Sequence, residues 1–109
     1  SFTTANIGSF TFGKNEKAEP PTTSFNVGDK VFAIANVSNA MGKYKMKYKI
    51  TPPGGAPVDK ELDFEGSRPI TYSFNPTVPG EYKFEVFLMD ESGKEIDKKS
   101  GSITVKGDA

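Results

Sequence analysis

The chain has 109 residues, with 14 Lys plus Arg against 14 Asp plus Glu and a formal net charge of zero at pH 7. That length suits one domain, residues 1–109, and balanced charge gives no field toward nucleic acid or an anionic membrane. There is no Cys and no His, which excludes disulfides, zinc-thiolate centres, Cys nucleophiles and the commonest general base and transition-metal ligand near neutral pH.

No apolar run approaches the roughly 20 residues that a membrane-spanning helix needs. The chain opens at Ser1 with no charged and apolar leader pattern, and reads as a mature or excised segment of a longer protein.

In chain order, residues 7–13 read as a first strand with Phe10 and Phe12 on one face. Residues 14–24 are polar, carry Pro20 and Pro21, and read as a surface loop. Phe25-Asn26-Val27-Gly28-Asp29-Lys30 reads as a turn into an apolar strand over residues 31–37, with Val31, Ala33, Ala35 and Val37 on one side and Phe32 and Ile34 on the other. In residues 43–50, Tyr44, Met46, Tyr48 and Ile50 alternate with Lys43, Lys45, Lys47 and Lys49. That is the period of a strand buried on one face and solvated on the other. Pro52, Pro53 and Pro57 around two glycines then stop ladder pairing.

Residues 60–65 give a short strand with Leu62 and Phe64 inward, and residues 69–74 another with Ile70, Tyr72 and Phe74 buried. The Pro79-Gly80 turn opens the longest strand pattern, with Tyr82, Phe84, Val86 and Leu88 at period two. A Tyr at that position fits the tyrosine corner, its hydroxyl bonding back across the preceding connection. Residues 95–105 form the last strand, Ile103 and Val105 inward, with Gly101 marking a bulge or bend. With no helical periodicity, the pattern predicts an all-β fold, an immunoglobulin-like or fibronectin III-like β-sandwich of about seven antiparallel strands.

Three strings carry a resemblance. Phe25-Asn26-Val27-Gly28-Asp29-Lys30-Val31-Phe32-Ala33, Asn39-Ala40 to Lys45, and Phe74-Asn75-Pro76 with Pro79-Gly80-Glu81-Tyr82 and Val86 resemble the turn-and-core signatures of bacterial exported immunoglobulin-like domains. The resemblance implies the sandwich fold and an extracytoplasmic setting (secreted, periplasmic or attached to the cell envelope), and it brings no catalytic residues. Phe74-Asn75-Pro76-Thr77 is also similar to a loop of chagasin-type cysteine-protease inhibitors.

Chemistry is sparse. Without His or Cys, a Ser or Thr nucleophile would have only Lys or a carboxylate as base, and these hydroxyls read as turn and surface groups. Asp59, Glu61, Asp63 and Glu65 formally contain a carboxylate pair, but alternating acids read as a solvated strand edge. Calcium has two conceivable seats, Asp90-Glu91-Ser92-Gly93 with Glu95 and Asp29; both read as plain turns. No catalytic residue, metal or cofactor is assigned.

The candidate interaction face is Lys45, Lys47, Lys49, Glu85, Phe87 and Met89, with Met41 nearby and Glu85 neutralising part of the lysine stripe; Phe87 and Met89 either form an apolar spot rimmed by lysines or, as the favoured expectation, Phe87 is covered by neighbouring loops or the N-terminal segment. The leading expectation is a non-enzymatic spacer or protein-interaction module whose partner is another protein or a neighbouring domain. A carbohydrate-binding module using Phe2, Phe32 or Phe87 as a platform is the second, and a protease inhibitor acting through clustered loops 39–42, 75–80 and 90–94 the third.

Overall fold

Eight strands build the structure, a computed structural model that describes residues 3–107: β1 (Asn6–Gly13), β2 (Ser24–Asn26), β3 (Val31–Ser38), β4 (Lys43–Thr51), β5 (Val58–Glu65), β6 (Pro69–Phe74), β7 (Gly80–Asp90) and β8 (Glu95–Lys106). They form a three-stranded sheet, β1-β3-β6, and a five-stranded sheet, β2-β8-β7-β4-β5. The result is a two-sheet, all-β sandwich, with no helix among the described residues.

The period-two strands place their apolar rows between the sheets. Met46, Tyr48, Val86 and Leu88 are fully buried, with Phe84 and Ile103 almost so, facing Val31, Ala33 and Ala35 of β3. Small residues on β3 leave room for the opposing rings, in the large-against-small fit that dense cores require. Ile34, on the far side of β3, is also buried, whereas Tyr72 and Phe74 on the edge strand β6 are only half-buried.

The sandwich has eight strands rather than about seven, and not every pairing is antiparallel. The stretch read as a turn contains β2, whose Phe25 is buried at 1% exposure. β2 pairs with β8 in parallel, Phe25 opposite Val105, so the sandwich has eight strands and one parallel pair. Three residues are too few to show a period, and the ladder comes from a strand about eighty positions away.

The expected bulge at Gly101 is also displaced. Gly101 stands in register with Phe84, and the irregularity on β8 falls at Ile96, between the pairs Leu88–Asp97 and Met89–Glu95. What requires glycine at 101 is packing: a Cβ there would lie 3.0 Å from the Phe12 ring. A second bulge, at Gly8 of β1, lies between the pairs Ile7–Val37 and Ser9–Asn36. It inserts one residue, so Ile7 and then Phe10 and Phe12 face the same side.

These irregularities join the sheets along one side. Past Ile96, Asp97 lies in the inward row of β8, and its Oδ2 accepts the Ile7 N–H at 2.8 Å. Phe10 and Phe12 lean over Gly101 and reach the Phe84 ring at centroid distances of 6.2 and 5.0 Å. At the far end, the Tyr82 hydroxyl donates to the Val78 carbonyl at 2.7 Å, closing the β6–β7 connection.

Candidate functional site

The outward face of the five-stranded sheet is set by register. Lys45, Lys47 and Lys49 of β4 stand opposite Met89, Phe87 and Glu85 of β7. The six candidate residues therefore share one patch. All six are half-buried, and that changes its character.

Phe87 is not an open apolar spot. Lys47 on β4 and Lys98 on β8 hold their ammonium groups 5.8 and 5.7 Å from its ring centroid, one from each neighbouring strand. Lysine stems cover apolar surface while the charged heads stay wet, so the side chains beside Phe87 shield it, rather than a loop or the N-terminal segment. Glu85 forms ion pairs with Lys98, at 3.5 Å, and with Lys49, at 4.0 Å. Met41 is 89% exposed but lies on the β3–β4 turn, off this face.

The larger neutralising partner of the lysines is β5. Its acids oppose the stripe residue by residue: Glu65 to Lys43, Asp63 to Lys45, Glu61 to Lys47 and Asp59 to Lys49. Lys45 reaches Glu61 at 3.5 Å and Asp63 at 4.0 Å, and Lys47 reaches Asp59 at 3.7 Å. Exposed cross-strand pairs of this kind contribute about 0.2–1 kcal/mol each. The signal was in the sequence: an alternating basic strand, a Pro-Gly turn and an alternating acidic strand describe a charge-paired hairpin. Lys98 was missed although alternation could have found it: β8 runs in unbroken register from Val105 to Asp97, so inward Ile103 and Val105 put Lys98 outward, opposite Phe87.

The three loops expected to gather at one end do not. Tyr44 pairs with Asp90, which brings residues 39–42 and 90–94 together, while Gly80 pairs with Val105 at the other end. β7, with 11 residues, separates these ends by about 36 Å at 3.3 Å per residue. Residues 75–80 instead meet the β2–β3 turn, where Gly28 N–H bonds the Pro76 carbonyl at 3.3 Å. The loop that joins the first two is 66–68: Ser67 Oγ accepts the Ala40 N–H at 2.9 Å, and Gly66 N–H bonds the Gly42 carbonyl at 3.0 Å. This end holds an open groove of about 750 Å³ lined by Thr3, Met41, Tyr44, Asp90, Glu91 and Ile96, among others.

The conceivable calcium seats are occupied by internal contacts. Asp90 Oδ1 accepts Ser92 N–H, Ser92 Oγ–H and Lys94 N–H at 2.6–2.9 Å. The Ser92 hydroxyl bond foremost, with the Lys94 amide next, holds the Asp90 carboxyl below the usual carboxylate range. Asp29 Oδ2 accepts the Asn26 N–H at 2.8 Å and meets Lys14 at 3.5 Å. Among the described residues, no group of three or more acidic side chains is placed to hold a metal. Of the three aromatic platforms, Phe32 is half-buried under the Lys30 ammonium at 5.4 Å, Phe87 is clasped as above, and Phe2 lies outside the described residues.

No family model matches the chain, and no curated protein matches it. Solved structures do. A Pseudomonas fluorescens alkylpurine DNA glycosylase, AlkC, bound to DNA containing an abasic site analogue, aligns with 95% of this chain at a TM-score of 0.60 and 15% identity. A Listeria innocua β-glucosidase in complex with glucose aligns with 98% at a TM-score of 0.54 and 13% identity. The CARDB domain of the Pyrococcus furiosus PF1109 protein, in complex with di-metal ions, aligns with 95% at a TM-score of 0.53 and 14% identity. The match spans 31% of the glycosylase, 16% of the glucosidase and 87% of the CARDB chain. At such identities the likeness is one of fold.

Proposed function

We propose that the chain is a non-catalytic immunoglobulin-like or fibronectin III-like module of an exported protein, serving as a spacer or meeting a protein partner through the outer face of its five-stranded sheet. The observation that carries this reading is that no Asp, Glu, Lys, Arg, Ser, Thr or Asn side chain is buried among the described residues. Catalytic groups usually owe their tuning to desolvation and close charge partners. Here the two shifted groups have structural causes: Tyr48 is a core phenol and Asp90 organises a hairpin.

The strand order supports the fibronectin III-like variant. β5 extends the sheet of β8, β7 and β4, whereas a constant-type immunoglobulin domain has its fourth strand beside E. The Tyr82–Val78 bond supports a tyrosine corner. Modular use agrees with this fold forming a minor part of two unlike enzymes, and the extracytoplasmic setting rests on the resemblance of the three sequence strings. Acids match the lysines one for one across β4 and β5, unlike the uncompensated basic stripe that phosphate backbones attract. Intact-mass determination on fractionated source cells tests the proposal. A longer, envelope-associated or secreted species is expected; a free cytosolic chain of this length would overturn it.

A small protease inhibitor is the second reading, favoured by Met41 at 89% exposure beside the groove between residues 39–42 and 90–94. Inhibition assays against a panel of proteases decide it, and Met41→Ala should weaken any inhibition found.

A further inference from the structure

β5 ends the five-stranded sheet, and its far side has no partner strand among the described residues. Every second residue of this eight-residue strand therefore turns its N–H and C=O to an open edge. The two side-chain rows along that edge differ sharply. The outer row is acidic: Asp59, Glu61, Asp63 and Glu65, with side-chain exposures of 55%, 50% and 87% for the first three. In the inner row, Val58 is 46% exposed, Lys60 is exposed, Leu62 is half-buried and Phe64 is buried.

Each acid stands opposite one lysine of β4, and on that side only. Two ammonium groups, those of Lys45 and Lys47, reach three of the four carboxylates, while Lys49 turns away to Glu85. The acids thus stay exposed along the open side, where no cation faces them from beyond β5, beside an inner row of Val58, Lys60, Leu62 and Phe64. β4 shows what satisfies such an edge. It places lysines against the acids and Tyr44, Met46, Tyr48 and Ile50 against Phe64, Leu62, Lys60 and Val58.

The geometry points to the free edge of β5 as a strand-addition site for an extended segment of another protein in which Lys or Arg alternates with apolar residues. Backbone bonds supply the ladder and the alternating rows select the partner. A second copy of this chain is a poor occupant. β5 against β5 would set acid beside acid, and the edge strand β6 offers uncharged Thr71 and Ser73 and starts at Pro69, which has no N–H. The inference is separate from the outer-face reading, because Phe87, Lys98 and Glu85 keep their contacts and Lys47 keeps its pair with Asp59 when β5 is tested.

The test uses the intact isotope-labelled chain and a capped synthetic peptide with the sequence of residues 43–50, followed by amide exchange at low salt. The expected result is slowing of β5 amide exchange by about tenfold or more, lost as salt is raised. A peptide with Glu at every Lys position leaves the exchange unchanged, and the Glu61→Lys/Asp63→Lys variant, folded by its unfolding midpoint, no longer responds. Protection confined to β6, absence of protection at β5, or an equal effect from a peptide of the same composition with its lysines grouped would each overturn the proposal.

Discussion

The Tyr48 hydroxyl lies 2.7 Å from the carbonyl oxygen of Ile70 and 3.1 Å from that of Ala33, so a side chain rooted in the five-stranded sheet ends on the backbone of the three-stranded one. A phenol has one proton, and the shorter contact makes Ile70 its main acceptor. Tyr48→Phe should cost about 1–3 kcal/mol, read from denaturant unfolding, because the buried carbonyls lose a donor. Burial raises the Tyr48 phenol above its ordinary value of 10.0. The unfolded chain thus ionises first, and this contribution, complete below that value, is lost as pH rises above it. Tyr48→Phe should flatten the alkaline fall in stability; an unchanged pH dependence would contradict the assignment.

Tyr82 closes a loop within its own neighbourhood, donating to Val78 four residues earlier at 2.7 Å. Its ring is already buried at 5% exposure, so Tyr82→Phe removes the hydrogen bond and little packing. A loss of about 0.5–1.5 kcal/mol is expected. An unfolding midpoint equal to that of the parent would show that the corner contributes nothing.

Much of this fold was legible because alternation and burial are the same fact. Each long strand with a clear period, β4 and β7 above all, buries the row its sequence marks. What escaped depends on partners distant in sequence. β2 is three residues long and exists because β8 offers Thr104 to Lys106 as a ladder. The bulges at Gly8 and Ile96 reconcile two registers that no single segment encodes. The candidate face was half legible: β4 and β7 were placed correctly side by side, but cover for Phe87 was sought in loops or the N-terminal segment, whereas Lys47 and Lys98 supply it. Nor could loops be sorted to the two ends without the strand order, which is why 75–80 was grouped with the wrong partners.

Asp90 organises the β7–β8 hairpin through three hydrogen bonds to one carboxylate oxygen. Its folded-state pKa is depressed, so its stabilising contribution is present above the ordinary carboxylate value and is lost as pH falls through the folded one. The Ser92 and Lys94 amide resonances should shift with Asp90 at that lower pH. In Asp90→Ala both amides should exchange faster while the middle of β7 keeps its protection; unaltered exchange at the two would dismiss this role.

Two glycines give a graded test of close packing. At Gly13 a Cβ would lie 2.3 Å from Ala18 Cα, a backbone atom, whereas at Gly101 it would meet the edge of the Phe12 ring at 3.0 Å. A ring can tilt by a few tenths of an ångström, and a backbone held by the Ala18 N–H bond to the Asn15 carbonyl at 3.0 Å yields less. Overpacking costs about 1–3 kcal/mol, so Gly13→Ala should reach or pass the top of that range and Gly101→Ala stay near the bottom. The reverse order in unfolding midpoints would mean that residues 14–23 give way more readily than the core.

Phe87 separates surface chemistry from stability. With lysines from both neighbouring strands at its ring, Phe87→Leu keeps an apolar side chain and loses the quadrupole that attracts them, at a cost of about 0.5–1 kcal/mol. Lys47 also pairs with Asp59, and Lys98 with Glu85, so neither ammonium is left without an acid when the ring goes. The fold should therefore survive almost unchanged, by midpoint and by amide dispersion. If the outer face meets a protein partner, Phe87→Glu should abolish that association in the parent protein, since it sets a carboxylate at the centre of the patch, while Phe87→Leu should weaken it only modestly. Association that is indifferent to Phe87→Glu would move the partner surface off this sheet.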